Sequence, residues 1–117
     1  MGNVVTGKAA QKADFGLPDA VTVSVRQVLA AHPAIRQAIV YGSRAKGNYR
    51  PGSDIDLTLD APTLAFGEFL QIDQALDDLM LPYRIDLSLL AQIDNADLRS
   101  HIARVGKVLW QNPHPVN

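Results

Sequence analysis

A chain of 117 residues is sized for one domain. Eleven Lys and Arg against twelve Asp and Glu leave a net charge of −1, which argues against a general nucleic-acid coat or a polybasic membrane anchor. With no cysteine, a disulfide scaffold, a zinc–thiolate centre and a thiol nucleophile are excluded.

Residues 1–14 carry Lys8 and Lys12 but no apolar periodicity and no h-region, so they read as an N-terminal tail rather than a secretory signal. One domain is expected over 15–112, with 113–117 as a C-terminal tail. After Pro18, Val21, Val25, Val28 and Leu29 recur at helical spacing, and the helix should stop before Pro33. Ala38–Tyr41 reads as a buried strand ended by Gly42-Ser43. The loop from Gly42 to Ser53 follows, its first turn helical through Lys46. Asp54 to Leu59 alternates, with Ile55, Leu57 and Leu59 on one face and Asp54, Asp56 and Thr58 on the other. Phe66, Phe69, Leu70, Ile72, Leu76 and Leu79 mark a second amphipathic helix, and the aromatic pair is read as core. Tyr83 to Leu89 alternates again, with Ile85, Leu87 and Leu89 opposite Arg84, Asp86 and Ser88. A last helix carries Leu98, Ile102 and Val105, Gly106 is its expected C-cap, and Val108–Trp110 forms a closing strand. His101 and His114 are read as surface residues. The order predicts an α/β (α+β) domain, a small mixed sheet flanked by helices. No run approaches the roughly eighteen apolar residues of a membrane span, so the expectation is a soluble, cytoplasmic protein without a membrane partner.

The chemistry concentrates between Gly42 and Asp86. Eleven of the twelve acids are Asp, a short, stiff ligand for hard cations. Period two puts Asp54 and Asp56 on one strand face with Cβ atoms about 6–7 Å apart. Two anions that close are tolerated if they are solvated, if one takes a proton, or if a cation sits between them. No basic residue alternates with them, which leaves Mg²⁺ as the natural counter-ion. Upstream, Gly42 permits close backbone approach, and Ser43 offers a hydroxyl and an N–H where an anion is favoured. Arg44, Lys46 and Arg50 make this loop basic, Arg44 being the preferred phosphate contact, while Ser53 either touches ligand or caps the loop. A basic, glycine-bearing loop before an acidic strand suits a metal–triphosphate. Asp86 is a third candidate carboxylate, provided that its strand neighbours the Asp54–Leu59 strand. Two Mg²⁺ ions would then clamp an in-line phosphoryl displacement.

Gly42-Ser43, ten residues, then Asp54-Ile55-Asp56, written GSRAKGNYRPGSDIDL, resembles the signature of the polymerase-β-like nucleotidyltransferases. In particular it resembles the minimal nucleotidyltransferase (MNT) proteins, small antitoxins paired with HEPN toxins. The resemblance runs from about Phe15 to about Trp110 and includes Arg84-Ile85-Asp86-Leu87 and the ending from Ile102 to Leu109. It implies the polymerase-β-like fold and Mg²⁺-dependent transfer of a nucleoside monophosphate from ATP or another nucleoside triphosphate to a hydroxyl. In the MNT branch that hydroxyl is typically a tyrosine of the HEPN partner. Carried over, Ser43 binds phosphate, with Gly42, Arg44 and Ser53 around it, and Asp54, Asp56 and Asp86 are catalytic metal ligands.

Two other motifs fail. Gly42 and Gly47 match half of a P-loop, but Asn48-Tyr49 stands where Lys-Ser/Thr is required. Arg26 and His32 have the spacing of a HEPN ribonuclease motif, but that family is all-helical and this chain has strands. A non-catalytic antitoxin acting by occlusion is the rival reading. A third keeps the fold with another acceptor, although near-neutral charge counts against long nucleic acid.

Overall fold

A computed structural model describes residues 14–114. The expected tail over 1–14 lies outside those residues except for Asp14, as do 115–117 of the expected C-terminal tail. A single 3-10 turn, Asp14–Gly16, leads into α1 (Asp19–Ala30), β1 (Gln37–Tyr41), the short α2 (Gly42–Lys46), β2 (Ile55–Asp60), α3 (Phe66–Asp77) and β3 (Ile85–Leu89). A second 3-10 turn at Leu90–Gln92, α4 (Ala96–Val105) and β4 (Lys107–Gln111) complete it. The four strands make one mixed sheet in the order β3-β2-β1-β4. β1 runs antiparallel to both β2 and β4, whereas β2 and β3 are parallel, which requires the crossover that α3 supplies. No helix among the described residues is long and apolar enough to cross a membrane.

Alternation in the strands decides which face is core. Ala38 and Val40 of β1 and Leu57 and Leu59 of β2 are wholly buried, and Leu29, Ile35, Ile72 and Leu76 pack with them. Burying each Val, Leu or Ile side chain among them contributes about 1.5–3 kcal/mol. Leu17, Val21 and Ile55 form a smaller cluster at the end of β2 that bears the acids. The opposite face carries Ile39 and polar groups: Thr58 and Ser88 stand in register, and the Ser88 hydroxyl donates to Thr58 Oγ1 at 2.9 Å.

One expectation about the core is corrected. It concerns α3, where Ile72 and Leu76 are buried but Phe66 and Leu70 are 61% and 50% exposed. Phe66 stacks on Phe69 with ring centroids 5.9 Å apart, so the aromatic pair caps the rim of the core instead of filling it. Gly106 caps α4 as expected, with its backbone extended at φ −60° and its N–H donating to the Ile102 carbonyl at 2.8 Å. Its missing side chain is needed for space, since a Cβ there would lie 2.7 Å from Ile39 Cγ2 and against the Ile102 carbonyl.

Candidate active site

Three strands bring one polar group each to a single row. Tyr41 of β1 stands opposite Asp56 of β2, and Asp56 stands beside Asp86 of β3 in the parallel pair. Because Ile55, Leu57, Ile85 and Leu87 turn to the core, the pleat sends Asp56 and Asp86 to the other face. Strands about 4.8 Å apart make these carboxylates cross-strand neighbours of like charge. Asp54 stands exposed just before β2, two residues from Asp56. Burial pushes the Asp56 carboxyl above the ordinary carboxylate range, repulsion from Asp86 and Asp54 pushes it further, and His101 opposes them. Burial likewise raises the Tyr41 phenol, and Asp56 and Asp86 add to the rise, while a hydrogen bond with Ser88 pulls against it.

Gly42 follows Tyr41 directly and opens α2 at φ +71°, a left-handed conformation suited to glycine. A Cβ on Gly42 would collide with Asp56 Oδ2, so the turn passes over the acid row because nothing projects from it. Ser43, half-buried, sits in the first turn of α2.

His101 is not a surface residue. It is half-buried on α4, its Nε2 accepts the Gly42 N–H at 3.1 Å, and its ring meets Tyr41 edge-on at 6.3 Å. A signal for this exists in the sequence: His101 lies three residues after Leu98 and four before Val105, on the apolar stripe of that helix. His114 is exposed, as expected.

The loop residues divide. Lys46 and Arg50 are exposed. Arg44, expected to reach phosphate, is instead 3% exposed. Its Nε donates to the Ser53 carbonyl at 3.0 Å and its Nη1 to the Phe15 carbonyl at 2.8 Å. Its guanidinium lies 4.9 Å from the centroids of both the Tyr49 and Tyr83 rings. Those contacts hold the side chain inside the loop. Ser53 takes the capping option, with its hydroxyl accepting the Arg50 N–H at 2.8 Å.

Among the described residues, no cluster of three His, Asp or Glu closes at metal-ligand spacing. Asp54, Asp56 and Asp86 nevertheless form a set of hard oxygen donors with no Lys or Arg paired to them among those residues, and Asp56 bears the repulsion of the other two. That chemistry fits Mg²⁺, which commonly takes one or two carboxylates and keeps several waters.

Residues 24–114 match the protein family described as Polymerase beta, Nucleotidyltransferase. The chain belongs to that family. Its mixed four-stranded sheet with flanking helices is the nucleotidyltransferase architecture found in solved structures. One, a toxin–antitoxin with AMP-PNP, superposes with a TM-score of 0.62 at 23% identity over 79% of this chain and 74% of that chain. The toxin–antitoxin MntA–HepT gives 0.57 at 21% identity over 80% and 72%. A tri-AMPylated Shewanella oneidensis HEPN toxin in complex with MNT antitoxin gives 0.58 at 21% identity over 80% of this chain and 71% of that chain. No curated protein matches the chain.

Proposed function

We propose that this nucleotidyltransferase moves a nucleoside monophosphate, AMP in the first instance, from a nucleoside triphosphate to a tyrosine hydroxyl of a HEPN-family toxin, and thereby acts as its antitoxin. The observation that carries the reading is the Asp56–Asp86 register, with Asp54 beside it and the side-chain-free turn at Gly42 lying against Asp56. The similar solved structures support the choice of partner, since one contains AMP-PNP and another a HEPN toxin already AMPylated in complex with an MNT antitoxin.

Asp54, Asp56 and Asp86 would hold Mg²⁺, with room in the donor set for two ions. When bound, the metal supplies charge neutralisation for the triphosphate and Lewis acidity at the reacting phosphorus. The Ser43 hydroxyl and N–H offer hydrogen bonds to phosphate oxygens at the opening of α2. Gly42 keeps the space above Asp56 clear for them. Lys46 and Arg50 add positive potential around the loop. Asp86 lies on the outermost strand of the sheet and is exposed, so an acceptor hydroxyl can arrive from outside that edge. Asp86 accepts the proton of that hydroxyl as its oxygen bonds to the α-phosphorus and the bond to the pyrophosphate oxygen breaks.

The test is incubation with α-labelled ATP, Mg²⁺ and a candidate HEPN-family toxin. Label should reach a toxin tyrosine with the wild type and not with Asp54→Asn or Asp56→Asn. Labelling by those variants at the wild-type rate overturns the reading. Neutralisation of the toxin that survives Asp54→Asn replaces catalysis with occlusion, and label on a nucleic-acid end or small molecule changes the acceptor.

A further inference from the structure

Arg44 is the most buried charged side chain described, and its contacts join segments that are separate in sequence. It is carried by α2, immediately after Ser43. Through Nε it holds the carbonyl of Ser53, the residue before Asp54. Through Nη1 it holds the Phe15 carbonyl ahead of α1. One face of the guanidinium meets Tyr49 of the loop, and another contact is Tyr83, three residues before Asp86. The Tyr83 end is itself fastened to β2, since the Ile55 N–H donates to the Arg84 carbonyl at 2.8 Å. One planar cation thus meets the phosphate turn, the start of the Asp54–Asp56 strand and the approach to Asp86.

We infer that Arg44 is a positioning residue for nucleotidyl transfer, setting the phosphate turn at a fixed separation from the carboxylates of β2 and β3 without touching the nucleotide. This rests on the transfer reading given above. The physical reason is the shape of the group. A guanidinium presents donors in a rigid fork and stacks flat on aromatic rings, so it can satisfy two carbonyls in different directions and two tyrosines together. A lysine ammonium carries the same charge but has neither the fork nor the plane. Reaction geometry is sensitive on this scale, because displacing reacting groups by about 1 Å costs on the order of a hundredfold in rate. A phosphate ligand would need free donors aimed outward; here two donors are engaged with main-chain carbonyls and the side chain is almost wholly enclosed.

The comparison uses wild type, Arg44→Lys, Arg44→Met and Tyr49→Leu, with Asp54→Asn as the inactive control. It measures kcat and KM for ATP in transfer to the toxin, thermal unfolding, and backbone amide exchange of the nucleotide-free protein. Arg44→Lys is expected to lose as much kcat as Arg44→Met, at least about tenfold, with KM for ATP within about threefold of wild type. Exchange should quicken by about tenfold at the loop amides of Gly47 and Ser53 while β1 and β2 stay protected. Tyr49→Leu, which leaves the Arg44 charge in place, should shift both readouts the same way and decides the matter if the Arg44 variants do not fold. Arg44→Lys at wild-type kcat, with only Arg44→Met raised in KM, makes Arg44 a phosphate ligand and overturns the inference. Lowered melting with wild-type kcat in the folded fraction, or exchange raised evenly through the sheet, also overturns it. A wild type that transfers nothing removes the transfer reading, whereas an active wild type with fully active Arg44→Lys removes only this one.

Discussion

The main-chain N–H of Gly42 donates to Nε2 of His101 at 3.1 Å, joining the first residue of α2 to the last helix. Replacing His101 by Leu leaves that N–H without its acceptor, at a cost of about 1–3 kcal/mol if water does not reach it. His101→Gln retains an acceptor and should recover most of the loss in a urea unfolding series. Both variants remove the influence that restrains Asp56, so its carboxyl should titrate higher than in the wild type when followed by NMR.

Gly42 and Gly47 both have positive φ, +71° and +89°, but only Gly42 faces another group. Gly42→Ala forces a Cβ onto Asp56 Oδ2 and should lose at least about tenfold in transfer as well as about 2 kcal/mol or more of stability. Gly47→Ala meets nothing within 4 Å. Backbone strain of about 1–2 kcal/mol is its expected cost, read by denaturation, with transfer in the folded protein near wild type.

The raised Asp56 carboxyl fixes the sign of a pH effect. Between the ordinary carboxylate pKa and the raised one, the folded protein binds more proton than the unfolded chain, so this group's contribution to stability falls as pH rises through that window. In metal-free buffer, Asp56→Asn should therefore melt above wild type at about pH 7, with the gap closing towards about pH 4. Adding Mg²⁺ at neutral pH should raise the melting temperature of wild type and leave Asp56→Asn unchanged, because a ligand stabilises only the form that binds it. Equal melting of the two proteins across the whole pH range would remove the electrostatic account of the acid row.

Helix α3 gives a contrast within one element. Ile72 has no exposure and Phe66 is 61% exposed. Ile72→Ala should cost about 2–5 kcal/mol, and Phe66→Ser should stay within about 1 kcal/mol, most of that from the stacked contact with Phe69. Chemical denaturation of the two variants under one condition settles the difference.

Local sequence determined a great deal of this protein. Alternation along Asp54–Leu59 and Tyr83–Leu89 is a property of the chain itself, so it located both strands to within two residues and turned Asp56 away from the core. Gly42-Ser43 before a basic loop, followed by the acid pair, was enough to indicate the family. Helical spacing located α1, α3 and α4 to within a few residues, since proline and the apolar period act on near neighbours.

Pairing and enclosure were decided only by the tertiary structure. Asp86 belongs beside Asp56 because β3 lies parallel to β2, and no residue between Asp60 and Ile85 encodes that register locally. His101 looked like a surface residue until packing of α4 set it against Gly42. Arg44 carried the same charge in sequence as Lys46 and Arg50, but Tyr49, Tyr83 and two carbonyls surround it alone. Sequence specifies which groups a residue carries and their local period; whether a charge faces solvent, a ligand or two aromatic rings depends on distant segments arriving at the same place. The net charge of −1 is the plainest case: the basic loop and acidic strand behind it were visible in the chain, and folding determined which of those charges remained free to act.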